Sequence, residues 1–287
     1  MLPRGAALSY VVAMPELAEV EFYRKQWDSG IGSKVAAVAL HPDKRIFRGT
    51  DTRAMQSALP GAKLISSEAR GKQMVFRFSK GIWLGIHLGM TGKLRIEPPA
   101  FAPGKHDHLV LWQKERALVF SDPRQFGRVL FFQGPGVAPW WAKLPPELIS
   151  KEFTPTALRR SLQRHSRLPI KAALLLQSSF PGIGNWMADE ILWQARIHPR
   201  VIASSLADEQ LRALWQTTRF VCRMALKHVG ADFSDPPKGW LFHERWRRGG
   251  SCPRDGEKLH DATIGGRTTV WCAKCQKTHA KAANGKK

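Results

Sequence analysis

The chain has 287 residues, with 45 Lys and Arg against 23 Asp and Glu, so its formal net charge is +22. That excess favours a polyanionic partner such as nucleic acid and leaves two classes open, an enzyme acting on nucleic acid and a non-catalytic binder. The length suits about two domains with a core that needs no disulfides, and no apolar run approaches the ~20 residues of a membrane helix.

Residues 1–13, "MLPRGAALSYVVA", carry one Arg and a short apolar stretch, and read as an extension ahead of a second start at Met14. From Pro15 to Trp27, Leu17, Val20 and Trp27 recur at helical spacing, while Glu16, Glu19 and Glu21 crowd the first turns. This predicts an amphipathic helix whose acidic start suits the helix dipole. Short β-type runs follow, "KVAAVALHP", "KLISSEARGKQMVFRFS", "IWLGIHLGM", "GKLRIE", "HLVLWQ", "ALVFSD" and "RVLFFQ", separated by Gly, Pro, Asp and Ser. Residues 14–135 therefore predict an antiparallel β-sandwich or barrel behind an N-terminal helix.

Residues 136–150, rich in Pro and Gly, read as a linker, and residues 151–235 as helical. Within them "IKAALLLQSSF" and "NWMADEILWQARI" predict two helices joined by "PGIG". A further helix places Leu211, Leu214, Thr218, Val221, Cys222 and Ala225 on one face, with Ser205 and Asp208 as a capping box at its start. Cys222, alone on that face, is a core residue. Residues 236–278 form a small basic module and residues 279–287 a basic tail of disordered composition. The fold class is α+β, in several domains.

Three of the four cysteines, Cys252, Cys272 and Cys275, lie in the C-terminal module and flank "TIGGRTTVW", a predicted β-hairpin with Arg267 at or near its turn. Clustering of this kind suggests a metal rather than a secreted disulfide framework. Three thiolates with either Asp255 through oxygen or His260 through nitrogen would complete a tetrahedral zinc site. The other reading is a hairpin held by packing alone.

The strings "MPELAEVE", "RGKQMVF", "HLGMTGKLRI", "KHDHL", "SDPRQFGR", "PGIGNWMADEILWQARIHPR" and "GGRTTVWCAKC", in this order, resemble the formamidopyrimidine-DNA glycosylase and endonuclease VIII family from Met14 to about Gln276. The resemblance implies a helix-two turns-helix domain, a zinc-finger-like hairpin and a base-excision repair enzyme that is both glycosylase and abasic-site lyase. It makes Pro15 the nucleophile, Glu16 the acid/base residue, Lys72 the hairpin lysine beside the lesion phosphate and Arg267 the finger arginine on the flanking phosphates. Met90, Arg124 and Phe126 match the residues that fill the hole left by a flipped base, and His106 and Arg124 match DNA contacts. Lys171 and Asn185 match phosphate-holding positions around "PGIGN", and His87 is either a further contact or a structural hydrogen-bonding group.

The chemistry is consistent with those roles. An α-amino group has a pKa of roughly 8, so a terminal proline is partly unprotonated and nucleophilic near neutrality. Pro15 inside a peptide bond has no such lone pair, so the activity requires a chain that begins at Pro15. Blandly read, Pro15 and Glu16 are a helix start, with Pro in the first turn and Glu at the positive end of the dipole. The sequence also departs from the family: Asp255 stands for a cysteine, Ala18 for the usual proline, and the segment after "HVGADF" is too short for the lesion-covering loop of formamidopyrimidine enzymes. The expected substrate is damaged double-stranded DNA, with oxidised purines the first choice. The alternatives are oxidised pyrimidines, as for an endonuclease VIII-like enzyme, or an inactive DNA-binding relative. Zinc is the implied cofactor, and the protein is expected to be a cytoplasmic monomer with no membrane partner.

Overall fold

A computed structural model describes residues 14–277, which divide into two compact units at Leu144 and Pro145. The extension expected at 1–13 and the basic tail expected at 279–287 lie outside the described residues.

The first unit opens with helix α1, Leu17–Lys25, followed by eight strands in chain order. These are β1 (Ala37–Leu40), β2 (Leu64–Arg70), β3 (Gln73–Phe78), β4 (Ile82–His87), β5 (Lys93–Glu97), β6 (Asp107–Trp112), β7 (Ala117–Ser121) and β8 (Arg128–Gln133). They form two four-stranded antiparallel sheets, ordered β1-β6-β7-β5 and β2-β3-β4-β8. The sandwich is thus realised, not a closed barrel.

Alternation along the strands explains the layering, because successive side chains point to opposite faces. Met74, Phe76, Leu84 and Ile86 from one sheet meet Leu109, Leu111, Leu118 and Phe120 from the other in one buried core. The odd-numbered neighbours Val75 and Trp83 face outwards and are covered by Trp141. Trp140 and Trp141 sit in helix α3, Pro139–Ala142, inside the stretch that composition marks as a linker. Gly85 makes room for that cover: a Cβ there would lie 2.5 Å from the Trp140 ring. Helix α2, Thr52–Ala58, capped by Asp51 through Ala54 N at 2.9 Å, has no counterpart in the sequence reading.

Helix α1 is fastened to the sandwich at its C-terminal end. Arg24 pairs with Glu21 at 2.8 Å and Asp28 at 2.9 Å and reaches Ser67 on β2. Trp27, fully buried, packs on Phe76 with ring centroids 4.7 Å apart and donates its indole N–H to the Arg95 carbonyl at 3.2 Å.

The second unit contains helices α4 (Pro155–Arg164), α5 (Ile170–Leu174), α6 (Asn185–Gln194) and α7 (Asp208–Lys227), then hairpin strands β9 (His260–Ile264) and β10 (Arg267–Trp271). The buried face of α7 is Leu211, Leu214, Thr218, Val221, Cys222 and Ala225, as periodicity predicts. Its start differs. Ala207 is the cap and its N–H donates to Gln210 Oε1 at 3.0 Å, whereas Ser205 turns back onto the Ile202 carbonyl at 2.9 Å. Alanine has no side-chain acceptor, so the reciprocal half of a capping box is missing.

Candidate nucleic-acid interface and metal centre

The predicted helix start is displaced. Helix α1 begins at Leu17 with Glu16 as its extended N-cap (φ −95°, ψ −176°), so Pro15 lies ahead of the cap and not in the first turn. The backbone N–H of Glu16 donates to Glu19 Oε2 at 3.2 Å, and the Glu16 side chain is buried, 1% exposed. Pro15 thus stands one position ahead of the cap, outside the first turn that a proline ring would preset. Helix α1 rests on β2, β3 and β5, the strands that flank the Lys72 turn and follow Met90.

Lys72 occupies the two-residue turn between β2 and β3, closed by the Arg70–Gln73 pair. Gly71 ahead of it has φ +61°, the left-handed value that a two-residue hairpin favours at its first central position. Lys72 and Arg48 also act on His87. Burial first, then those two charges, push the His87 imidazole down to about 4, so it is neutral at physiological pH. Its Nδ1 accepts the Gly89 N–H at 3.0 Å, which makes it a structural acceptor at the base of the Met90 loop.

Met90 lies between β4 and β5, half-buried, and Arg124 and Phe126 between β7 and β8. Both loops cross from one sheet to the other, and they touch: a Cβ on Gly89 would stand 2.5 Å from Gly127 N. The Arg124 guanidinium lies 4.8 Å over the Phe126 ring, and Phe126 is 42% exposed. An outward aromatic with a cation on its face is not a core residue, in contrast to its strand neighbours. His106 is exposed at the edge of the same loops, its carbonyl accepting Asp122 N at 3.0 Å.

In the second unit, the side chains of two expected phosphate holders, Lys171 and Asn185, are engaged internally. Its ammonium is fully buried, 2.5 Å from Asp189 Oδ1 and 2.8 Å from the Asn185 carbonyl. Asp189 Oδ2 accepts Arg245 Nη2 at 2.8 Å and Val270 N at 3.2 Å. Asn185, at the first turn of α6, gives its amide N–H to the Thr268 carbonyl at 2.8 Å. A buried ammonium needs a carboxylate beside it, and here that carboxylate also grips the hairpin. Lys171 and Asn185 thus tie the helices to β10, the strand that carries Arg267.

Arg267 is exposed at the first position of β10, immediately after Gly265 and Gly266, whose φ values are +61° and +73°. Consecutive left-handed residues are what a tight type I′ hairpin turn requires. Gly265 also packs against Ala172, with the Ala172 Cβ 2.7 Å from where its own Cβ would be.

Cys252, Asp255, Cys272 and Cys275 bring one ligand atom each to within 4.8 Å of one another. Cys252 Sγ and Cys275 Sγ are 3.8 Å apart, which matches the edge of about 3.8 Å of a tetrahedron with metal–sulfur bonds of about 2.3 Å. Asp255 Oδ2 lies 3.0 Å from Cys275 Sγ, and Oδ1 lies 3.6 Å from Cys272 Sγ. His260 instead stacks on Trp271, with ring centroids 5.8 Å apart, outside this group. Between the two candidates for the fourth ligand, the fold assembles Asp255. Its carboxyl is held well below the usual range, first by the Cys275 thiol. Burial and the facing carboxylate push the Cys275 thiol up to about 12. The donor set fits zinc, which would have to displace the thiol protons to bind.

Comparison with known proteins agrees with this architecture. Residues 14–129 match the family model described as the formamidopyrimidine-DNA glycosylase N-terminal domain, and residues 144–235 the one described as its H2TH domain. A formamidopyrimidine-DNA glycosylase of Thermomicrobium roseum is 35% identical over 292 residues, 93% of this chain and 100% of its own length. One of Arabidopsis thaliana is 32% identical over 285 residues, 94% of this chain and 73% of its own. The Lactococcus lactis enzyme in complex with DNA containing N7-benzyl-Fapy-dG gives a TM-score of 0.82 at 27% identity, covering 92% of this chain and 100% of that one. These matches define a DNA glycosylase of base-excision repair. The chain belongs to the formamidopyrimidine-DNA glycosylase and endonuclease VIII family.

Proposed function

We propose that this chain excises oxidised bases of the formamidopyrimidine type from duplex DNA and cleaves the abasic strand by β,δ-elimination through the amine of Pro15. The observation that carries the reading is the start of α1, where Pro15 precedes the cap and a buried carboxylate, Glu16, follows it. In a chain that begins at Pro15, its nitrogen bonds to the sugar C1′ as the glycosidic bond breaks and the base leaves with a proton. Glu16 supplies and withdraws protons as the sugar ring opens to an iminium. Loss of a C2′ proton then expels the 3′ phosphate, a second elimination expels the 5′ phosphate, and water releases the amine. Lys72 and Arg267 hold the departing phosphates. Arg267 does so with a guanidinium fork suited to two oxygens.

Met90, Arg124 and Phe126 occupy the hole left by the flipped base, as apolar wedge, partner for the orphaned base and stacking platform. His106 contacts the backbone. In this reading Lys171 and Asn185 serve DNA indirectly, by holding the hairpin. Cys252, Asp255, Cys272 and Cys275 hold zinc. With four protein ligands and no open position, the metal supplies rigidity rather than chemistry.

A second reading has one observation behind it. The connection after the helical domain runs only from Phe233 to Trp240, too short for a long lesion-covering loop, which favours oxidised pyrimidines.

Borohydride trapping on an abasic duplex tests the mechanism. A chain beginning at Pro15 gives a covalent adduct, and one retaining residues ahead of it gives none. Absence of any adduct from the Pro15-initiated chain refutes the lyase reading. A panel of duplexes carrying oxidised purines or pyrimidines decides between the two substrate classes.

A further inference from the structure

The three void-filling residues lie on two separate loops, and a single buried carboxylate joins those loops. Asp122, fully buried, closes β7. Its Oδ1 accepts the Thr91 hydroxyl at 2.6 Å and its Oδ2 accepts Gly127 N at 2.7 Å. Thr91 is adjacent to Met90, and its Oγ1 in turn accepts Arg124 N at 3.3 Å. The chain of bonds therefore runs from the Arg124 backbone through Thr91 to Asp122 and on to Gly127, passing across both loops.

Other contacts point the same way. Gly89, with φ +64°, lets the two loops pack closely: a Cβ there would stand 2.5 Å from the carbonyl carbon of Phe126, so a side chain would force the loops apart. Gln125 is held at φ +55°, a left-handed conformation that is unfavourable for a non-glycine residue. Its N–H donates to the Asp122 carbonyl at 3.2 Å, and His108 Nε2 lies 3.0 Å from the same oxygen. Arg48 Nη1 donates to the Gly127 carbonyl at 2.7 Å.

We propose that Asp122, acting through Thr91, is the positioning residue that locks Met90, Arg124 and Phe126 into one preassembled wedge. The wedge then enters duplex DNA already shaped and does not order on contact. This deepens the function proposed above and rests on it. The carboxylate is required because both partners are donors: an ionised carboxylate accepts at both oxygens, whereas an asparagine amide would set an N–H₂ against either Thr91 or Gly127 N. Thr91 is required because only a hydroxyl can donate to Asp122 and accept from Arg124 N at once. Preorganisation of this kind lowers the ordering cost that separate loops would meet on binding.

The test uses the full chain beginning at Pro15, with three variants, Thr91→Val, Thr91→Ser and Asp122→Asn. One readout is the fluorescence of 2-aminopurine placed opposite a non-cleavable tetrahydrofuran abasic analogue in duplex DNA, which rises when the wedge unstacks it. The second is excision from a lesion duplex, and the third is strand cleavage at an abasic site in single-stranded DNA, where there is no hole to fill. Thr91→Val and Asp122→Asn are expected to lose the fluorescence rise and roughly tenfold to a hundredfold in kcat/KM on the duplex. Thr91→Val keeps single-strand cleavage, Thr91→Ser restores the duplex values, and Thr91→Val added to Met90→Ala costs less than it does alone.

Unchanged fluorescence and duplex activity in Thr91→Val overturn the clamp. Equal losses of duplex and single-strand cleavage also overturn it, since they would mark a merely structural residue. A parent chain that raises the fluorescence but cleaves no substrate leaves the clamp standing and removes the proposed function instead. A parent that raises no fluorescence removes the clamp.

Discussion

Asp189→Ala leaves two buried cations without their carboxylate, Lys171 at 2.5 Å and Arg245 at 2.8 Å. Both side chains are essentially excluded from water, at 0% and 2% exposed. Removing one partner of a buried pair typically destabilises by about 3–5 kcal/mol, because the remaining charge stays desolvated. The Arg245 guanidinium lies 4.1 Å over the Trp246 ring, which gives it one remaining favourable contact. The loss of about 3–5 kcal/mol corresponds to a fall of roughly 10–15 °C in the melting temperature of a unit of this size. Thermal and urea unfolding, followed by near-ultraviolet circular dichroism so that the helical unit's tryptophans report, measure it. Replacing the cations as well, in an Asp189→Leu, Lys171→Met, Arg245→Met chain, should recover more than half of the loss. A single Asp189→Ala variant within about 1 kcal/mol of the parent, or a triple variant no more stable than the single, would falsify the assignment of Lys171 to an internal pair.

Two titrations of opposite sign should separate the units. His87 is pushed down to about 4 by burial, Lys72 and Arg48, so the unfolded chain binds its proton first. Stability of the sandwich therefore falls as pH drops from about 6.5 to about 4, by up to roughly 3 kcal/mol, and His87→Gln flattens the profile in urea unfolding. Glu190, pushed up to about 7 by burial, behaves in reverse: its contribution is complete below about 4.5 and is lost as pH rises through about 7. Glu190→Gln should abolish that slope in the helical unit. Titrating the metal-free protein with Co²⁺ should produce thiolate charge-transfer absorption with one metal per chain. Asp255→Ala should weaken binding without removing the thiolate band, and a chain that takes up no metal argues for a hairpin held by packing alone. DNA affinity should fall steeply with salt, as phosphate contacts release counterions, and a flat response counts against a basic binding face.

Much of the fold is written locally. Met74, Phe76 and Phe78 alternate with Val75 and Arg77 on β3, and that period alone gives each strand an inner and an outer face. The face of α7 follows from three- and four-residue spacing, and the turn at Gly265–Gly266 from the one residue type that accepts its backbone. The three cysteines announce a cluster at their separation in the chain, and the choice of Asp255 over His260 came only when the fold gathered the ligand atoms.

What sequence could not decide depends on partners distant along the chain. Lys171 matches a phosphate-holding position in the sequence, and only the fold gathers Asp189, Arg245 and Val270 around it. Thr91 and Asp122 are unremarkable in "MTGK" and "SDPR", and no periodicity links them. They become a clamp because β4 to β5 and β7 to β8 cross between the sheets side by side. Pro15 sits where helix-start statistics would place a first-turn residue, yet the extended backbone of Glu16 puts it outside the helix. Apolar spacing encodes which face of an element is buried, since every buried face needs one. Which polar group meets which charge is settled only by packing, because a carboxylate or ammonium has no local pattern that names its partner.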